Sequence, residues 1–245
     1  MHKKSKPRRW QRSLALLLAG LVLAAPAAGQ GAGGGASEAE LDVLALFREL
    51  QVAQPNGFPR YEVVETPAGP RAFGGVLYGP RARIAVVLDR PHAYLRLIDR
   101  GDGDGADTMV SEAAVWLDAE GAPLLALSEW GARSGRPFGG RLRLYSRASG
   151  RWNLVNDSAL PAELERRLCG AEPQQVAEDT SAWEGLGAVV ALLPREGTDI
   201  AAWCVGPGPT HGANLVWNRE RAAFELGARR EGTPQWLGSD AGAGR

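Results

Sequence analysis

"TMVSEAAVWLDAEGAPLLALSEW", Thr108 to Trp130, decides the fold. Two apolar runs rich in β-branched and aromatic residues flank "AEGA", a short polar stretch whose glycine suits a tight turn, so the segment reads as a β-hairpin. A second hairpin follows, "RLRLYSR" returning through "ASG" to "RWNLVND". Upstream, Tyr61 to Thr66, Ala72 to Tyr78, Arg83 to Leu88 and Tyr94 to Ile98 have the length and punctuation of successive strands. Downstream, "AVVALLPR", "DIAAWCV", "ANLVWN" and "RAAFEL" repeat the pattern. Hairpin after hairpin with no helix between strands predicts a mainly β fold of antiparallel meander sheets, either one unit or two packed β lobes meeting near Leu160.

Two helices interrupt the pattern. "SEAELDVLALFRELQVA" opens with Ser37 as an N-cap, carries Glu40 at the capping-box position, and places Leu41, Leu44, Phe47 and Leu50 on one stripe. Such a stripe predicts a helix laid on a sheet. "LPAELERRLC", Leu160 to Cys169, is a shorter connecting helix with Pro161 in its first turn.

The beginning of the chain reads as an export signal. Lys3, Lys4, Lys6, Arg8, Arg9 and Arg12 precede the uncharged "LALLLAGLVLAA", and "APAAG" supplies small residues for cleavage near Ala27. The apolar run is shorter than the roughly 20 residues of a membrane span. The expected division is therefore a signal peptide over 1–28, a flexible glycine-rich linker over 29–36, an N-terminal helix with a β lobe over 37–160, a short helix with a smaller β lobe over 161–227, and a disordered tail over 228–245. A periplasmic or secreted protein with no membrane anchor after cleavage is the expectation. Gly29, Gly31 and Gly34 match a dinucleotide fingerprint by spacing, but no strand precedes them and the match is discarded.

Six of the 28 basic residues lie before Ser13, leaving 22 against 28 acids. That mildly acidic balance argues against a nucleic-acid surface. Two cysteines in an oxidising compartment most often pair, and Cys169 and Cys204 are expected to form a disulfide.

Candidate chemistry centres on "LIDRGDGDGADTMVSE", Leu97 to Glu112. No register supplies the carboxylates of an EF-hand. Asp102, Asp104 and Asp107 remain as a looser set for a calcium ion, with Asp99, Glu112 or carbonyls completing the sphere; Asp-Gly pairs are equally the residues of a polar turn. His92 and His211 fall on turns and are read as exposed loop residues. No nucleophile motif occurs. Trp130, beside "GARSGRPFGG", is the candidate for an exposed binding aromatic. A non-catalytic binding or envelope accessory protein is the favoured reading, and its rival is a secreted hydrolase using a carboxylate pair that sequence spacing does not reveal.

From "LLALSEWGARSGRPFGG" through "LRLYSRASGRWNLVNDSALPAEL", and again at "ALLPREGTDI" and "NLVWNRERAAFEL", the chain resembles a pattern of exported bacterial β-rich proteins of unknown function. The resemblance implies a periplasmic or secreted β protein with no assigned activity. In that pattern the Gly-rich loop often carries a cysteine pair; Gly131 to Gly140 has none. Finally, "VVLDRPHAYLRLI" and "ALLPREGTDIAAW" echo each other as strand, Arg-containing turn, strand.

Overall fold

The computed structural model describes residues 41–55, 61–75, 77, 83–102, 107–134, 136–156, 162–169, 189–205, 211–231, 234 and 236. Helix α1 (Val43–Ala53) comes first, followed by the hairpin β1 (Tyr61–Thr66) and β2 (Gly69–Gly74). A six-stranded meander then runs through β3 (Arg83–Asp89), β4 (Tyr94–Arg100), β5 (Asp107–Leu117), β6 (Pro123–Arg133), β7 (Arg136–Ala148) and β8 (Arg151–Asn156). After α2 (Ala162–Cys169), a four-stranded meander is built from β9 (Val189–Leu192), β10 (Ile200–Cys204), β11 (His211–Asn218) and β12 (Ala223–Arg230). Every strand pairing is antiparallel, as the hairpin pattern predicts.

The six-stranded sheet is the middle of three layers, because both of its faces are covered. One row across it, Tyr94, Ala114, Ala126 and Leu144, packs against Ile200, Ala202 and Leu215 of the four-stranded sheet. The neighbouring row, with Leu95, Ala113 and Leu127, packs under Val43, Leu44, Phe47 and Leu50 of α1 and under Tyr61 and Val63 of β1. Strands covered twice read as near-continuous apolar runs, which explains the composition of β4, β5 and β6. Gly140 lets the layers close: a Cβ there would collide with the Val189 carbonyl of β9. All the described residues fall within one compact unit.

Three expectations change in detail. The described helix is capped by Asp42, not Ser37, with Asp42 Oδ1 accepting from Leu44 N–H at 3.0 Å and Ala45 N–H at 3.3 Å. Asp is as good a cap as Ser, and it is also held by Arg90 at 2.6 Å, which Ser37 could not match with a charge. Residues 37–40 lie outside the described residues, as do the expected leader and linker over 1–36. The strand after Pro67 is Gly69–Gly74, since the tight turn starts pairing at Gly69.

The expected tail over 228–245 is not chain without structure from its start. β12 continues through Ala228 to Arg230, and Trp236 packs at a tilt against Trp130 and edge-on against Trp203, with centroids 6.1 and 6.2 Å away. An indole beyond a polar stretch supplies enough apolar area to hold the chain locally. The two echoing segments correspond to β3–β4 and β9–β10, the first hairpin of each meander, and their turns meet where Arg195 Nε donates to Asp89 Oδ2 at 2.5 Å.

Candidate functional site

Two identical dipeptides, Ser111-Glu112 on β5 and Ser128-Glu129 on β6, organise the polar interior. Their strands run antiparallel, so Glu112 stands opposite Ser128 and Ser111 opposite Glu129. Successive side chains alternate faces, which delivers one serine and one glutamate to each side of the middle sheet. Arg96 extends the first row beside Glu112, and Arg141 extends the second beside Glu129.

The first row faces the four-stranded sheet. Glu112 accepts from the Tyr94 hydroxyl at 2.7 Å and from the Leu193 N–H at 3.1 Å, with Arg96 Nε at 3.6 Å. Burial pushes its pKa above the ordinary value, against the pull of Arg96, Tyr94, Leu193 and the Trp130 indole. Ser128 donates to the Ala191 carbonyl, and Arg96 donates to the Trp236 carbonyl at 2.6 Å. Every one of these partners lies inside the protein.

The second row faces α1 and β1. Glu129 accepts from Arg143 and, at 3.4 Å, from Arg141. The Tyr61 hydroxyl sits among Ser111, Asp99 and Glu129, and burial followed by the Asp99 charge raises its pKa. Asp99 is 0 % exposed and accepts from the Leu77 N–H at 3.2 Å. Gly75 makes this possible at φ +90°, because a Cβ would strike the Asp99 carboxylate and come within 2.9 Å of the Tyr61 ring. Glu112 and Glu129 are therefore separated by the sheet itself, and each is committed to an arginine. They do not form the facing carboxylate pair that a glycosidase requires.

Of the candidate aspartates of the acidic loop, two are described. Asp107 is held by Arg133 through two hydrogen bonds of 2.6 and 2.9 Å, Asp102 is exposed in a bend, and Asp104 lies outside the described residues. Asp99 and Glu112, the expected supplementary oxygens, point into opposite layers of the interior. Among the described residues no three His, Cys, Asp or Glu side chains gather as a metal set. His92, in a turn as expected, has its Nδ1 3.0 Å from Asp89 Oδ2; His211 opens β11. Cys169 and Cys204 are paired, with Cα atoms 5.3 Å apart.

Trp130 corrects its expectation. It is 0 % exposed, because "GARSGRPFGG" is not an open loop beside it: Gly131 to Arg133 extend β6, Arg136 to Gly140 begin β7, and the indole points between the sheets toward Trp236.

An open site occurs elsewhere, between α1 and β1. Among the described residues β1 pairs with β2 on one edge only. Along its other edge, two side chains of α1 stand where a strand would be. Gln51 Oε1 accepts the Tyr61 N–H at 2.7 Å and Gln51 Nε2 donates to the Tyr61 carbonyl at 3.0 Å. Arg48 Nη2 donates to the Val63 carbonyl at 2.5 Å. Backbone groups alternate in an antiparallel pair, so Glu65 shares this outward side with Tyr61 and Val63. A groove of about 480 Å³ runs along the edge, lined by Arg48, Gln51, Val52, Tyr61, Glu62 and Val63. Val52 is 83 % exposed at its lip. The helix stripe was legible in sequence and Gln51 falls on its face, four residues after Phe47 and seven after Leu44, but nothing local marks a glutamine there as reading a strand ten residues away.

No protein-family model, curated protein or solved structure matches this chain. Among the described residues no helix is long and apolar enough to cross a membrane.

Proposed function

We infer that this is a non-catalytic binding protein acting outside the cytoplasm, and that it captures an extended segment of a polypeptide partner along the outer edge of β1. One observation carries the reading. The backbone of that edge is served by the side chains of Gln51 and Arg48, which reproduce part of a missing strand's hydrogen bonds and which an incoming strand would replace. Strand addition gives affinity through main-chain bonds and selectivity through side-chain contacts, and here the exposed Val52 at the lip of the groove offers apolar contact to the incoming strand. The paired cysteines support an oxidising compartment. The committed buried carboxylates support binding over hydrolysis.

An alternating hexapeptide matches the six residues of β1. Acetyl-Thr-Val-Thr-Val-Thr-Val-amide, titrated into isotope-labelled protein, is expected to slow amide exchange at Val63 and Glu65 and to shift the Gln51 side-chain amide signals. The same peptide with alternate amides N-methylated is expected not to bind. Unchanged Val63 and Glu65 exchange at saturating peptide, or equal binding by the methylated form, overturns the reading and leaves Gln51 and Arg48 as guards of an edge against aggregation.

A further inference from the structure

A second groove, of about 320 Å³, opens on another part of the surface. Arg167 from the last turn of α2, His211 from the start of β11 and Arg229 from β12 line it, together with Cys169, Gly212 and Gly227. Among the described residues no carboxylate does. Arg167 has no acidic partner among the described residues, and the contact of Arg229 is with a neutral acceptor: its Nη2 lies 3.2 Å from His211 Nδ1. A guanidinium has donors only, so Nδ1 accepts and the neutral imidazole carries its proton on Nε2. Three donor groups from three elements thus line one concavity with two positive charges and, among the described residues, no counter-charge.

The surroundings explain why the charges are held there. Cys169 ends α2 and is bonded to Cys204 of β10, which stands opposite His211 in the sheet. The disulfide fixes the helix bearing Arg167 against the strand bearing His211. Arg230, the neighbouring cation, is drawn to the other side of β12 by Asn214 Oδ1 at 2.6 Å, and Arg221 is paired with Glu225 at 2.9 Å. Among the described residues, Arg167 and Arg229 are the cations that line the groove.

We propose that this groove is a phosphate-binding site, with Arg167 and Arg229 as charged donors and His211 Nε2 as the neutral one. A carboxylate lies in one plane and matches a single guanidinium fork, whereas donors converging from three sides match the tetrahedral oxygens of a phosphate group. The site is independent of the β1 edge. Its ligand is either free phosphate or a phosphate monoester.

Titration of the isotope-labelled full chain with inorganic phosphate, and separately with glycerol 3-phosphate, distinguishes the two sources. Sodium chloride at matched ionic strength is the reference. Saturable shifts of the His211 ring and Arg229 Nε signals are expected with phosphate and not with chloride. Tighter binding of the ester identifies a monoester as the ligand; tighter binding of the inorganic ion identifies free phosphate. Arg229→Ala is expected to weaken binding about tenfold, the usual scale for a lost charge-assisted bond. Arg221→Ala, on the same hairpin but outside the groove, is expected to change nothing. Both positions are exposed, and coincident thermal unfolding of the two variants checks that each is folded. Non-saturating shifts, equal shifts in chloride, or the same affinity in Arg229→Ala as in wild type overturns the proposal.

Discussion

The two faces of the middle sheet carry the same polar row, one arginine, one glutamate and one serine, and use it differently. On the face toward β9–β12, Arg96, Glu112 and Ser128 reach the backbone of the opposite layer at Trp236, Leu193 and Ala191. Those contacts fix one layer against the other in a single register. Toward α1 and β1, Glu129 is satisfied by Arg143 and Arg141 of its own sheet, and the covering layer is held chiefly by apolar packing of Phe47, Leu44 and Leu50, with the Leu77 N–H on Asp99 and the partly exposed Arg90–Asp42 pair as its polar ties. Non-directional packing permits a layer to shift, while buried hydrogen bonds resist it. The stitched face is expected to carry more of the stability, and the packed face is where the proposed partner would enter.

The largest expected effect comes from breaking the stitched face. Glu112→Ala leaves Arg96 as a buried charge and strips the Leu193 N–H of its acceptor, and is expected to cost about 4 kcal/mol in urea unfolding. If the loss is under about 1 kcal/mol, the first row does not stitch the layers. Next is Leu50→Ala, at the fully buried end of the α1 stripe, expected to cost about 3 kcal/mol. This change is also expected to speed exchange of the Tyr61 amide more than that of Leu193, since it loosens one layer only.

Gln51→Ala is smaller. It removes two hydrogen bonds at a partly open edge and is expected to cost about 1 kcal/mol, while binding of the alternating hexapeptide improves because its competitor is gone. A variant that loses peptide binding would show that Gln51 contacts the partner and does not stand in for it.

The smallest effect is in the pH dependence, and its two limbs have opposite signs. Glu112 is raised above its ordinary value of 4.5 by burial, so its protonation favours the folded state, and stability falls as pH rises from there through the raised value. Glu112→Gln is expected to flatten that limb. Asp89 is lowered below 3.8 by its hydrogen bonds to Arg195 and then His92, so its contribution is present above that value and is lost as pH falls through the lowered one. Asp89→Asn is expected to flatten the acid limb alone.

Much of the fold was legible because hairpin chemistry is local. Glycine and polar punctuation marked the β5–β6 and β7–β8 turns, and the 3.6-residue stripe marked α1. Trp130 was misplaced because its exposure depends on two long-range facts, the continuation of β6 past Gly131 and the return of Trp236 from the far end of the chain. The two Ser-Glu dipeptides were visible within apolar runs, but their significance required the pairing register, which puts each serine opposite the other strand's glutamate. Gln51 was the least legible. A lone polar residue at the end of an apolar stripe reads as the frayed end of the helix until the neighbouring strand is placed.

Native-state hydrogen exchange at two amides tests the contrast between the faces most directly. The Leu193 N–H is held by Glu112 at 3.1 Å and the Tyr61 N–H by Gln51 at 2.7 Å, so bond length alone would rank Tyr61 as the better protected. The account predicts the reverse: Leu193 exchanges only through global unfolding, with full denaturant dependence, and Tyr61 exchanges through a smaller opening of the α1 layer that is nearly independent of denaturant. Exchange of both amides through the same global opening would contradict it, because the α1 layer would then be locked as firmly as the stitched one.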